Sequence, residues 1–200
     1  MMDKHNILIV GVGGQGTILA SDILGAVAIA AGYDIKKTDT IGMAQRGGSV
    51  VSHVRIATEV YSPLIKEGDA DILIAFEKLE AARWSTYLNP GALVILNDYA
   101  VPPLSVSLGT QCYPSNNEIR EILNEKTDNI YLIDSINKTK QLGDVRTLNI
   151  YMLGFLSSFL TIESNIWRQC LSTTLPAKIL DINLKAFQLG HKDSARVNLK

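Results

Sequence analysis

Apolar and polar positions alternate along this chain in two distinct rhythms. Ile7, Leu8, Ile9 and Val10 form an unbroken apolar run, the pattern of a strand buried on both faces. From Thr17 to Ala31 the apolar positions recur at helical spacing, with Leu19, Ile23, Val27 and Ala30 on one side and small residues elsewhere. Gly32 follows as a helix C-terminal stop. Tyr33 to Thr38 predicts a second strand, weakened by Lys36 and Lys37. Ser49 to Ile56 alternates, with Val50, Ser52, Val54 and Ile56 on one face and Val51, His53 and Arg55 on the other, so a further strand is expected. Ile72–Phe76, Ala92–Leu96 and Ile130–Ile133 are three more short apolar strands. A helix is expected from about Lys78 to Leu88, ended by Asn89-Pro90-Gly91. A second runs from the capping box Ser115/Glu118 to Lys126.

The last third reads as helical. Leu148 to Leu160 is apolar nearly all round and too short to span a bilayer. It is either a central core helix or one covered by another subunit. Ser164–Ser172 is a helix, and Pro176 starts another, with Leu180, Leu184 and Phe187 at i, i+4, i+7 and Gly190 as its stop. The polar residues 191–200 are expected to form a tail behind one domain spanning 1–190. This order of elements predicts an α/β fold: a mostly parallel, doubly wound Rossmann-like sheet with helices on both faces and a helical C-terminal third.

Composition narrows the function. Of 200 residues, 46% are hydrophobic and 20% charged, and the net charge is −1. That balance supplies no basic field for nucleic acid or a membrane surface. Cys112 and Cys170 are the two cysteines, and their separation fits neither a zinc nor an iron–sulfur site. Reduced thiols and the lack of a signal-peptide pattern point to a cytoplasmic protein.

Two glycine-rich stretches carry the candidate chemistry. Gly11, Gly13 and Gly16 stand in G-x-G-x-x-G spacing between strand and helix, and Gly14 leaves the turn barer still. In that setting the first glycine permits a tight turn, the second a close approach to backbone, and the third helix–strand packing. The free N–H groups that open the helix favour a phosphate or carboxylate. A ligand-free packing turn, or a surface for a partner's backbone, remains an alternative. Thr17 in place of lysine excludes a Walker A loop. The second stretch, Thr38 to Ile56, places Arg46 in a loop punctuated by Gly42, Gly47 and Gly48. Its guanidinium offers a planar fork to an anion, or pairs with solvent or a partner chain.

Ligands of open parallel sheets bind beyond the carboxyl ends of the strands, an edge that also collects Glu77, Asn97 and Asp134. Taken singly, these three read as helix caps or loop hydrogen-bonders. A nicotinamide site would need an acidic residue about 20 positions after the glycines. Asp34 and Asp39, 18 and 23 positions beyond Gly16, both qualify by spacing. The three histidines, His5, His53 and His191, share no metal spacing, and no nucleophile elbow is present.

Two motifs go further than spacing. GVGGQGTILASDILG (Gly11–Gly25) and TDTIGMAQRGGSVVSHVRI (Thr38–Ile56) resemble the gamma-type domain of 2-oxoacid:ferredoxin oxidoreductases. Tyr61–Arg83 and Asn183–Gly190 continue the likeness, which is weakest from Pro102 to Asp144, and within the family it is nearest the small subunit of the indolepyruvate branch. The resemblance implies a small subunit, inactive alone, that supports CoA-dependent oxidative decarboxylation of a 2-oxoacid with electrons passed to ferredoxin. Thiamine diphosphate, magnesium and the 4Fe–4S clusters would sit on a large (alpha) partner subunit, and coenzyme A is the one cofactor this chain could itself hold. Carried over by residue, the likeness places Gly11, Gly13, Gly14, Gln15, Gly16, Thr17, Met43, Gln45, Arg46, Gly47 and Gly48 near the ligand or the partner interface. It assigns no catalytic residue and no metal ligand to this chain.

Overall fold

The computed structural model describes residues 4–42 and 47–197. Six strands form one sheet in the order β2-β3-β1-β4-β5-β6. They are β1 (His5–Val12), β2 (Asp34–Ile41), β3 (Ser49–Ala57), β4 (Ala70–Ala75), β5 (Leu88–Asn97) and β6 (Ile130–Ile133). β1, β4, β5 and β6 are parallel neighbours, and β3 runs antiparallel to both β1 and β2. Five strands therefore point one way and β3 alone opposes them.

Strand β1 shows why an unbroken apolar run was needed. Ile7 and Ile9 enter a large core on one face, and Leu8 and Val10 enter a smaller core on the other. The larger core is covered by α1 (Thr17–Ala30), α6 (Leu148–Leu156), α7 (Ser164–Thr174) and α8 (Ala177–Val197). The smaller lies under α2 (Lys78–Arg83) and α4 (Asn116–Asn124). Two further α-helices among the described residues are α3 (Leu104–Ser107) and α5 (Ser135–Leu142). Among these residues no helix is long and apolar enough to cross a membrane.

Every residue of α6 is buried, and it packs against α1 and, most closely, α8. Of the two readings open for this segment, it is the chain's own core helix. The glycines permit that packing. A Cβ on Gly154 would stand 2.1 Å from the Phe187 carbonyl oxygen, and one on Gly190 would stand 2.0 Å from that of Tyr151. Gly190 thus lies inside α8 and does not end it, and the helix continues to Val197 with Asp193 and Ser194 buried.

Other boundaries differ from expectation as well. Helix α2 stops at Arg83, and a 3-10 turn over Ser85–Tyr87 leads into β5. Strand β5 starts at Leu88 because Leu88 already pairs with Ala70, although the register shifts before Leu93. Strand β2 runs on to Ile41, held by β3. The capping box of α4 forms as read, with Ser115 and Glu118 each bonded to the other's backbone N–H.

Candidate functional site

At the carboxyl end of β1 the chain turns through Gly13–Gly16 into α1. Gly14 and Gly16 have φ of 100° and 79°, a region that strains any residue with a Cβ. Gly11 is still in the strand. A Cβ there would meet the Gln15 Oε1 at 2.7 Å and the Phe76 Cβ at 3.2 Å, so this glycine makes room for a side chain and does not itself form the turn. Gln15 fills that room. Its Oε1 accepts from the Val12 N–H at 2.8 Å and its Nε2 donates to the Phe76 carbonyl at 3.1 Å. Both ends of its amide are thereby spent stapling the turn to the end of β4.

The second glycine-rich stretch comes to the same place. The Gly13 N–H donates to the Gly48 carbonyl at 2.9 Å, and the Gly42 N–H to the Ser49 carbonyl at 2.8 Å. Between the turn and the β2–β3 hairpin lies a cavity of about 360 Å³, bounded by Val12, Gly13, Gly14, Thr17, Ile41 and Val50. Helix α1 opens on it with no side-chain cap, so the N–H groups of its first turn have no partner within the helix. An anion there gains about 0.3–1 kcal/mol from the helix dipole before any direct hydrogen bond is counted. None of the described residues lining the cavity carries a side-chain cation. Met43, Gln45 and Arg46 lie outside the described residues.

Thr17 is placed differently from its neighbours. It is 3% exposed, and its hydroxyl has no hydrogen-bond partner. The hydroxyl lies 3.1 Å from the position of a Cβ on Gly11, so it points beneath the turn. What Thr17 offers the cavity is backbone.

Two contacts that spacing could not supply fix the site from outside. Asn149, in α6, donates from Nδ2 to the Gly16 carbonyl at 3.4 Å and bears on the outside of the turn. It is the one polar residue in LNIYMLGFL, and that isolation is its sequence signal. Ser49, the first residue of β3, donates its hydroxyl to Glu80 Oε2. Glu80 is 3% exposed. Burial pushes its carboxyl above the usual value against the pull of Ser49 and Arg83, and nearby Glu77 adds to the rise.

The three edge residues prove to be fasteners. Glu77 caps α2 by accepting from the Glu80 N–H at 2.8 Å, and it also accepts from the Val101 N–H and the Tyr113 hydroxyl. Asn97 joins the Phe76 carbonyl to Ser135, and Asp134 caps α5 through the Asn137 N–H. The nicotinamide requirement is not met. The neighbours of β1 are β3 and β4, so no acidic residue ends a parallel second strand beside the turn. Asp39 is engaged by Lys37, Ser21 and Ser52, and Asp34 by Lys36 and the Val60 N–H. Burial works against the charge on Asp39, but Lys37 and the two hydroxyls outweigh it and hold the carboxyl below its usual range.

This six-stranded fold has counterparts. Residues 6–192 match the family model described as pyruvate ferredoxin/flavodoxin oxidoreductase. The chain belongs to that family. A relative from Pyrococcus horikoshii, the indolepyruvate oxidoreductase subunit IorB, is 38% identical over 96% of both chains. The crystal structure of a keto/oxoacid ferredoxin oxidoreductase gamma subunit from Geobacter sulfurreducens superposes with a TM-score of 0.70 at 25% identity, covering 96% of this chain and 99% of the other. A 2-oxoglutarate:ferredoxin oxidoreductase chain from Magnetococcus marinus, solved with 2-oxoglutarate, coenzyme A and succinyl-CoA bound, shares the fold. Its TM-score is 0.73 at 22% identity, and 98% of this chain covers 32% of that one. This chain thus has the fold of about one third of that longer one.

Proposed function

We propose that this chain is the small subunit of an indolepyruvate, or aryl-pyruvate, ferredoxin oxidoreductase, and that its joined glycine elements hold a phosphate of coenzyme A. The large partner subunit supplies thiamine diphosphate and iron–sulfur chemistry. The observation that carries this reading is the Gly13–Gly48 hydrogen bond, which brings both motifs to the open N-terminus of α1. The bare backbone admits a bulky anion closely, and the dipole of α1 favours its charge. Arg46 supplies the side-chain cation. The aryl-pyruvate assignment is supported by the full-length likeness to the indolepyruvate subunit. The chain's part in the reaction is binding and orientation, which raise rate by holding the thiol end of coenzyme A beside a centre on the partner.

The test is reconstitution. The chain, tagged and purified without oxygen together with its large subunit, should reduce ferredoxin with indolepyruvate only when coenzyme A is present. Arg46→Ala should raise the apparent KM for coenzyme A about tenfold, the loss of one charge-assisted contact, and leave the KM for indolepyruvate unchanged. An unchanged KM for coenzyme A refutes the phosphate assignment. A variant that no longer co-purifies shows that the loop docks the partner instead.

A further inference from the structure

The hairpin beside the glycine turn is held from the face opposite the cavity. Val50 lines the cavity. Successive residues of a strand face opposite ways, so Ser49 turns to the other face, where Val51 enters the smaller core. On that face the Ser49 hydroxyl donates to Glu80 Oε2. The backbone around Ser49 is where the two glycine elements meet. Its carbonyl accepts from the Gly42 N–H at 2.8 Å, and it stands opposite Val12 in the ladder. The carbonyl just before it, on Gly48, accepts from the Gly13 N–H at 2.9 Å.

Glu80 is costly where it stands. It is 3% exposed, and a carboxyl there loses hydration that an apolar side chain of similar size would not miss. Replacing a buried ion pair by apolar groups is often neutral or stabilising, so helix packing alone does not call for an acid. Its partners are Arg83 at 3.3 Å, the Trp84 indole and Ser49. Arg83 and Trp84 belong to the end of the same helix. Of the three, only Ser49 carries the contact to another element. Helix α2 is itself well fastened. Glu77 caps it and takes the Val101 N–H and the Tyr113 hydroxyl, and the Lys78 Nζ lies 2.7 Å from both Asp98 and Asn116. It is a fixed point from which a hairpin can be held.

We infer that Glu80 is a positioning residue for the glycine site, clamping the hairpin through Ser49 so that the Gly48 carbonyl meets the Gly13 N–H. It touches no ligand, since it works from the face opposite the cavity. The inference rests on the reading that the joined glycine elements hold a phosphate of coenzyme A, and it names what keeps them joined.

The Gly13 amide reports the junction without any ligand. In hydrogen exchange followed by NMR on the full chain, Glu80→Leu and Ser49→Ala should each speed exchange of that amide about tenfold or more. The Phe76 amide, bonded to the Val10 carbonyl, should keep its rate. Glu80→Gln, whose amide oxygen still accepts from Ser49, should keep the Gly13 amide slow. In the complex with the large subunit, Glu80→Leu should raise the apparent KM for coenzyme A about fivefold or more. The KM for indolepyruvate and kcat at saturating coenzyme A should stay within about twofold, and Glu80→Gln should behave as wild type. An unchanged Gly13 amide in both Glu80→Leu and Ser49→Ala overturns the inference. A Glu80→Gln variant as loose as Glu80→Leu assigns the effect to charge and overturns it too. So does a loosened Gly13 amide with an unchanged KM for coenzyme A, where Arg46→Ala raises that KM. If Arg46→Ala leaves it unchanged as well, the phosphate reading has failed and the inference falls with it. Ser49→Ala removes a single hydroxyl, so the exchange test stands even if Glu80→Leu fails to fold.

Discussion

Gly16 meets two independent requirements, a positive φ and a close neighbour. A Cβ there would stand 2.5 Å from the Asn149 Nδ2 and would also occupy a strained conformation at φ 79°. Gly16→Ala should cost about 1–3 kcal/mol in urea denaturation. Adding Asn149→Ala should recover the steric share and leave the strain, because the clash is with the end of a side chain. His53 gives a pH-dependent prediction. It is buried, accepts from the Ile65 N–H at Nδ1, and burial pushes its imidazole below the usual value. The unfolded chain then takes up a proton near pH 6.5 that the folded chain refuses. Stability should be full above that pH and fall as the pH drops toward the folded value, and His53→Gln should flatten the fall in denaturation midpoints between pH 7 and pH 5.5. At this scale the glycines were legible because their spacing reflects backbone sterics. The duties of Gln15 and Asn149 were not, since their partners lie 61 and 133 positions away.

Helix α6 shows how an element's surroundings decide its reading. An apolar run with no polar face states that burial is complete and is silent on what does the burying. The answer lies in Gly154 and Gly190, through which α6 and α8 touch backbone to backbone. Gly154→Ala should therefore destabilise the chain by about 3 kcal/mol in urea denaturation, because a carbonyl oxygen on a neighbouring helix cannot swing aside as a side chain can. The same packing explains why Gly190 was misread as a stop. A glycine behind an i, i+4, i+7 stripe marks a helix end or a close crossing, and local sequence does not distinguish them. Strands such as Ile130–Ile133 were legible to the residue because four apolar side chains between turn signals leave little else to form.

For the whole molecule, the sheet and its two layers followed from element order, whereas the reversal of β3 did not. Alternation records which face a side chain takes and carries no direction. The length of the connection did hold the information. Seven residues separate Ile41 from Ser49, far fewer than a parallel crossover requires, so β2 and β3 had to form a hairpin. That hairpin, laid beside β1, brings the second glycine stretch to the first. The turn nonetheless takes its backing from Asn149, and this has a consequence in time. On a ribosome adding about 5–20 residues per second, the glycine turn emerges on the order of ten seconds before the residue that braces it. The nascent chain carries the motif early and the finished site late. The turn is therefore braced only once the last third of the chain is being made, so its finished geometry belongs to molecules extended past Asn149 and not to shorter nascent ones.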